Sequence, residues 1–332
     1  MAKQNKKGIG WCDYTFNPFI GCTKISPACD NCYAETIAKR FFPAAKWGNH
    51  PRVLTSEANW RKPLAWNKRS QANFNAFEQF KNTQGMTDEQ LLEQGFIKPI
   101  QPKVFCGSMC DVFDNQIMNG YRFSLFKMIY EAPHLTWLLL TKRIGNVEKI
   151  FSQVKDCFVF NSSEWPFANI WLGITVCNQE EADRDIPKLL QLPAAKRFLS
   201  IEPMLGYVDL SKWIGQIDWV IVGGETGHKA RPLHPLWAVS IRDQCQVADV
   251  PFFFKQWGEW APRGYYFKLE EKELWQIDPQ CKKWPRVIRL TESGKNGRIM
   301  ENCDGGEDVH MQRIGAKKAG CLLIDKEWKQ FP

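Results

Sequence analysis

No stretch of this chain approaches the roughly 18 consecutive uncharged apolar residues that a membrane helix needs, so no membrane span and no membrane partner are expected. The lysine-bearing start, M-A-K-Q-N-K-K-G-I-G, has no apolar run behind it, so a signal peptide is not expected. Both absences lead to the expectation of a cytoplasmic protein. Dense basic runs are also missing, and the cations come as short pairs such as Lys6–Lys7, Lys282–Lys283 and Lys317–Lys318. With 44 Lys plus Arg against 36 Asp plus Glu, the formal charge of +8 permits nucleic acid as a partner without requiring it. No internal repeat or long disordered tract interrupts the chain.

What is present is an ordinary globular composition: 332 residues, 44% hydrophobic and 24% charged. That length suits one large domain, or one domain with a small appendage. Fifteen tryptophans and 22 phenylalanines could stack on bases, but core filling is the simpler use for them.

The 12 cysteines are the most specific signal. In a reducing compartment they are thiols or metal ligands rather than disulfides. Three are packed into G-C-T-K-I-S-P-A-C-D-N-C-Y as C-x6-C-x2-C: Cys22, Cys29 and Cys32. Three thiolates hold a metal centre while leaving a coordination position open. Zinc sites usually bring two close pairs, so an iron–sulfur cluster with three protein ligands suits the odd count better. Cys12, just upstream, could supply a fourth thiolate. The remaining scattered cysteines read mostly as small buried hydrophobes.

Short apolar runs recur and end in polar or small residues: Val104 to Asp111, Trp137 to Arg143, Ile170 to Val176, Arg197 to Pro203, Asp218 to Glu225 and Pro251 to Gly258, with a weaker candidate at Tyr14 to Gly21. Continuous runs of this kind suit strands buried on both faces. Helical patterns lie between them, at Tyr121 to Glu131, Asn178 to Leu192 and Pro235 to Ala248. The alternation predicts an α/β fold of mainly parallel strands. A doubly wound sheet satisfies it, but a complete or partial β/α barrel of the TIM type is preferred, because nearly every strand carries a polar tip at its C-terminal end. Residues 1–258 would form this barrel, with an insertion at about 45–103 that lids one end. Residues 259–332 would form a small C-terminal β-rich appendage, with R-V-I-R-L and G-C-L-L-I-D as short strands.

Each polar tip has a dull alternative. Ser108 and Asp111 could meet an ammonium or a ribose, or Asp111 could cap a helix. Lys142 and Arg143 could neutralise a carboxylate or phosphate. Thr175 could bond a ribose, whereas neighbouring Asn178 also suits a helix cap. Ser200 and Glu202 form the strongest tip, because a glutamate ending an interior strand is costly to bury without a partner or a task. Gly223–Gly224 allow close backbone approach beside Glu225. Lys255, Gln256 and Trp257 suggest a binding face, against a lysine snorkelling beside a packed indole.

The stretches W-C-D-Y-T-F-N-P-F-I-G-C-T-K-I-S-P-A-C-D-N-C-Y-A-E, F-L-S-I-E-P-M-L-G, V-I-V-G-G-E-T-G, A-R-P-L-H-P-L-W, F-F-F-K-Q-W-G and I-G-A-K-K-A-G-C-L-L-I-D resemble a phage- and mobile-element-derived family of three-cysteine-motif proteins of unknown function. More distantly, three cysteines after a first strand, closing in C-x2-C and an aromatic (Tyr33), resemble the radical S-adenosylmethionine superfamily. The usual spacing there is C-x3-C-x2-C, three residues shorter, and the Gly-Gly-Glu expected after the second strand is found later, at Gly223–Glu225. The resemblance implies a [4Fe–4S] cluster on Cys22, Cys29 and Cys32, with S-adenosylmethionine on its open iron, reductive cleavage of the sulfonium, and hydrogen abstraction by a 5′-deoxyadenosyl radical. It would place Ser108 and Asp111 near the methionyl amine, Lys142 or Arg143 near the carboxylate, and Thr175, Ser200 or Glu202 near the ribose. Glu225 joins this cofactor-binding set, with Glu202 and Lys255 as catalytic candidates. The expected activity is a radical enzyme acting on nucleic acid or a nucleotide, served by an electron donor and with room for a partner protein. The alternatives are a zinc-stabilised nucleic-acid-binding protein without catalysis, with Cys12 completing the site, and a barrel enzyme whose cluster is only structural.

Overall fold

A computed structural model describes residues 9–157, 167–263, 287–290, 296–297, 309–324 and 326–332. Strand β1 (Tyr14–Phe16) is followed by β2 (Phe19–Ile20), which pairs antiparallel with β3 (Val53–Leu54). The single strand expected over Tyr14 to Gly21 is therefore two. Pro18 lies between them, has no amide to donate, and restricts the preceding residue, so the ladder breaks there.

The other strands of the main sheet are β4 (Lys103–Cys106), β5 (Thr136–Thr141), β6 (Ile170–Thr175), β7 (Lys196–Ile201), β8 (Trp219–Gly223) and β9 (Phe252–Gln256). The sheet has seven strands in the order β1-β4-β5-β6-β7-β8-β9. The defined registers β1–β4, β4–β5, β7–β8 and β8–β9 are all parallel. Strand order follows chain order without a reversal, so this is not a doubly wound sheet, which requires a switch point. Among the described residues β1 and β9 end the row without pairing to each other, so a closed eight-stranded TIM barrel is not shown. The architecture is mixed α/β with an open parallel sheet and smaller antiparallel sheets.

Between and around these strands in the chain lie the helices α1 (Tyr33–Phe41), α2 (Glu57–Gln84), α3 (Asp88–Glu93), α4 (Asn119–Glu131), α5 (Val147–Cys157), α6 (Gln179–Gln191) and α7 (Pro235–Val247). Of these, α4, α6 and α7 are the three expected from the sequence. Asn178 caps α6 by accepting from the Glu181 amide at 3.0 Å, and His234 caps α7 through Nδ1, which accepts from the Leu236 amide at 3.2 Å. Residues 45–103 hold the polar helix α2 and the short α3, which begins in a reciprocal Thr87–Gln90 capping box.

The chain divides into two compact units. The first comprises Met1–Thr23, Ala34–Leu172 and Pro193–Ala195. Its core is aromatic: Phe16 meets Trp60 of α2 edge-on at 5.6 Å and Trp137 of β5 at 6.1 Å, while Tyr14 stacks on Trp66 at 4.3 Å. These contacts seat an otherwise polar α2, of which only Pro63 and Ser70 are buried, against β1. The second unit comprises Lys24–Tyr33, Gly173–Leu192 and Lys196–Pro332. Trp219, Phe252, Phe253 and Phe254 are fully buried there. The chain's last segment runs along β9: the Phe254 amide donates to the Trp328 carbonyl at 2.9 Å and the Gln330 amide to the Phe252 carbonyl at 3.1 Å. That pairing satisfies a sheet edge that would otherwise stand open. Also in this unit are the antiparallel strands β10 (Trp260–Arg263), β11 (Val287–Leu290), β12 (Asn296–Gly297) and β13 (Val309–Arg313), in the order β10-β13-β11-β12. These strands fall in the stretch read from the sequence as β-rich, with V-I-R-L of R-V-I-R-L as β11. Within G-C-L-L-I-D, Leu322–Leu323 pairs with Lys326–Glu327.

Candidate functional site: cysteines held by buried ion pairs

In the first unit, Cys22 lies next to a buried double ion pair. Arg143, at the loop after β5, donates from Nη1 to Asp111 Oδ2 at 3.0 Å and to Cys22 Sγ at 3.6 Å, and from Nη2 to the Thr23 carbonyl at 2.7 Å. Asp111 Oδ2 also accepts from the Thr141 hydroxyl at 2.9 Å and the Lys142 amide at 3.1 Å, while Oδ1 accepts from the Phe113 amide at 3.0 Å. Asp114 Oδ2 sits 3.3 Å from Arg143 Nη2 and accepts from Arg52 Nη2 at 2.9 Å, with the Arg52 and Asp114 side chains only 1% and 3% exposed. Arg52 further donates to the Thr23 hydroxyl at 2.6 Å and to the Gly48 and His50 carbonyls at 2.9 Å. Two guanidinium groups and two carboxylates thus balance in charge beneath the thiol. Burial first, and Asp111 next, push the Cys22 thiol up to about 11, with Arg143 acting in the opposite direction. Burial alone would lower the pKa of Arg143, but Asp111, Cys22 and Asp114 together hold it above the ordinary arginine value.

Ser108 does not stand free at its tip. Asn17, after β1, donates to its hydroxyl at 3.0 Å and accepts from the Met109 amide at 2.7 Å, tying the end of β1 to the loop after β4. Lys142 is half-buried, and its backbone amide bonds Asp111. The Cys12 thiol donates to the Ile9 carbonyl at 3.6 Å. Cys106, Cys110, Cys177 and Cys245 are buried, as small hydrophobes would be. The Cys157 side chain, Cys281 and Cys303 lie outside the described residues.

In the second unit, Cys29 and Cys32 lie on a short loop. Ser26 caps the single 3₁₀ turn Pro27–Cys29, and α1 begins at Tyr33. Arg231 grips this loop: Nη1 donates to Asp30 Oδ2 at 3.0 Å and Nη2 to the Pro27 carbonyl at 2.8 Å. Its other donors chelate Glu225, with Nε to Oε2 at 2.9 Å and Nη2 to Oε1 at 2.6 Å. Asn31 Nδ2 donates to Glu225 Oε2 at 3.0 Å. Glu225 is 6% exposed. These contacts account for Glu225, read from the sequence as a cofactor-binding tip, through the cysteine loop.

The strand ends of β7, β8 and β9 gather the two catalytic candidates. Lys255 Nζ lies 3.1 Å from Glu202 Oε1, the two side chains being 26% and 14% exposed, and the Ser200 hydroxyl donates to Glu202 Oε2 at 3.3 Å. A β-bulge between Val222 and Gly223 falls at this point, and a Cβ on Gly223 would stand 2.7 Å from Glu202 Oε1, so glycine makes room for the carboxylate. Thr175 is buried at the end of β6. Trp257 does not complete a binding face. Its ring is 3% exposed and its indole N–H donates to the Leu322 carbonyl at 2.8 Å, which makes it core.

Sequence reasoning did not weigh Asn17, Asn31, Arg52, Asp114 or Arg231. Asp114 was signalled by its spacing from Asp111, and Arg231 by the A-R-P-L-H stretch. Arg52 carries no local signal. Among the described residues, no three His, Cys, Asp or Glu side chains are grouped to hold a metal ion.

Fold and site together define an α/β protein with an open parallel sheet and a cysteine loop anchored by ion pairs. The chain belongs to the family described as "Protein of unknown function (DUF5131)", whose match covers residues 6–332. No curated protein and no solved structure matches the chain.

Proposed function

We propose that the chain is an iron–sulfur, S-adenosylmethionine-dependent radical enzyme acting on nucleic acid or a nucleotide. The observation that carries this reading is Arg143 Nη1 donating to Cys22 Sγ at 3.6 Å from within a buried, charge-balanced network. Burial and the Asp111 carboxylate hold the Cys22 thiol up, and Arg143 is the neighbour that acts the other way, partly offsetting them towards the thiolate that binds metal. The donor chemistry suits it: three thiolates are what a [4Fe–4S] cluster with one open iron takes, and Cys22, Cys29 and Cys32 would hold it. Bound together, the cluster and S-adenosylmethionine supply one-electron cleavage of a sulfonium and hydrogen abstraction from an unactivated carbon, with a reduced carrier providing the electron.

The protein's own contribution is position and charge. Asp111 orients Arg143 towards Cys22, and three further donors, from Thr141, Lys142 and Phe113, keep that carboxylate in place. Glu202 holds Lys255 near the ends of β7 and β9, and an ammonium with three donors has capacity left for an anionic group of a substrate or cofactor.

The test is anaerobic purification with metal and sulfide analysis, followed by dithionite, S-adenosylmethionine and an assay for 5′-deoxyadenosine. Brown protein with roughly four irons per chain that releases 5′-deoxyadenosine supports the proposal. Colourless protein with a single zinc points instead to a zinc-stabilised nucleic-acid binder. Iron without cleavage points to a structural cluster. Nucleic acid retained through purification supports the substrate class.

A further inference from the structure

We infer that the Glu225–Arg231 pair is a latch that sets the conformation of the cysteine loop and so the joint presentation of Cys29 and Cys32. This rests on the reading of that loop as a ligand loop and deepens it by assigning two positioning residues.

The loop's own hydrogen bonds are local ones, spanning a few residues each. Its internal support is one 3₁₀ turn, with the Cys29 amide donating to the Ser26 carbonyl at 2.9 Å and the Asp30 amide to the Pro27 carbonyl at 3.2 Å, together with the Cys32 amide to the Cys29 carbonyl at 3.3 Å and Lys24 Nζ to the Asp30 carbonyl at 2.9 Å. A single turn of this kind has poor hydrogen-bond geometry and gains nothing from cooperative extension. Besides the Cys177 thiol, which bonds Ser26 and Ala28, one carboxylate gathers several of the loop's external contacts. Glu225 receives the Arg231 amide at 2.7 Å, the bidentate guanidinium, and Asn31 Nδ2 at 3.0 Å. Arg231 spends its remaining reach on Asp30 and on the Pro27 carbonyl. Asn31 is tied a second time, to the Lys229 carbonyl at 2.9 Å. Pro27, Asp30 and Asn31 bracket Cys29 and lead directly into Cys32. An ion pair serving only the scaffold would join two elements of the scaffold, whereas this one joins the turn after β8 to the loop that bears the thiols.

Glu225 is itself rigidly placed. A Cβ on Gly224 would stand 1.8 Å from the Trp257 carbonyl oxygen, and one on Gly258 would stand 2.1 Å from the Glu225 carbonyl oxygen, so the two backbones touch through paired glycines. The Gly224 amide donates to the Gln256 carbonyl at 2.8 Å and the Glu259 amide to the Glu225 carbonyl at 3.0 Å. The anchor therefore sits on strand-end backbone and the arginine transmits its position to the loop. Lysine could not replace it, because a point charge cannot chelate one carboxylate and also reach an aspartate and a carbonyl.

The test follows alkylation of individual thiols in the metal-free full-length protein, read peptide by peptide by mass spectrometry, for the wild type, Arg231→Ala, Arg231→Lys and Glu225→Gln. Cys245, buried on α7, reports global unfolding. Releasing the latch should speed labelling of Cys29 on the order of tenfold, the loss of roughly one charge-assisted hydrogen bond's net stability, while Cys245 keeps its wild-type rate. Arg231→Lys should fall between. Unchanged labelling of Cys29, or a rise matched by Cys245, overturns the latch. Iron is then loaded anaerobically and its release to a chelator timed. Wild-type protein that takes up no iron refutes the ligand reading and leaves the latch judged on labelling alone. Iron held equally well by wild type and variants overturns the role in presenting the thiols.

Discussion

Replacing Arg143 with methionine keeps most of the side chain's length and removes its charge. In the folded protein Arg143 is 9% exposed and bonds Asp111, Cys22 and the Thr23 carbonyl, with Asp114 at 3.3 Å. After the change, Asp111 retains the Thr141 hydroxyl and two backbone amides, and Asp114 retains Arg52. Neutral donors do not neutralise a buried carboxylate. The cost therefore falls in the range for breaking a buried pair, about 3–5 kcal/mol, and near about 3 because those donors remain. Asp111→Asn alone leaves Arg143 with Asp114 as counter-ion and costs about 2 kcal/mol. In the double variant neither charge is stranded by the other's loss, so the total should stay near about 3 kcal/mol, roughly 2 below the sum of the singles. Urea unfolding of all four proteins, metal-free and at one pH, gives these values from midpoints and slopes. Additivity of the two single changes to within about 0.5 kcal/mol would refute the network as described.

Gly224→Ala places a methyl group against the Trp257 carbonyl at 1.8 Å, where only backbone can yield, whereas the same change at Gly206 meets the Asn178 Cβ at 3.5 Å. The first should destabilise by about 3 kcal/mol or more or abolish folding, and the second should stay within about 1 kcal/mol of wild type; equal thermal midpoints for the two would contradict the close approach. His234 is fully buried, and burial pulls its pKa down from 6.5 to about 4. The unfolded chain then binds a proton that the native state does not. The associated stability is present above about pH 6.5, is lost as pH falls to about 4, and reaches about 3 kcal/mol. Stability of His234→Asn, which keeps a capping acceptor, should depend less steeply on pH across that window, and an unchanged slope would sink the assignment.

Much of the scaffold was legible in the chain. Runs such as T-W-L-L-L-T and W-V-I-V-G are apolar without alternation because both faces of their strands are covered, and each formed a strand within one or two residues of its expected bounds. Pro18 was read through as part of a strand, although its missing amide splits that segment. Glu202 was expected to need a partner and has Lys255. The individual tips were visible, but their pairings were not. Asp111 and Arg143 look like two separate sites for an amine and a carboxylate, yet they bond each other. Arg231, whose A-R-P-L-H stretch says nothing of its partners, carries contacts that restrain the cysteine loop.

The order of amino acids by itself determined the α/β alternation and helix caps such as Asn178, because burial on two faces and capping are decided within a few residues. Only the tertiary structure decided which charges neutralise which. Asn31 meets Glu225 across 194 residues and Arg231 meets Asp30 across 201. Such pairings depend on where strand ends arrive in space, and a charge offers equal attraction to every opposite charge until the backbone brings one of them within reach.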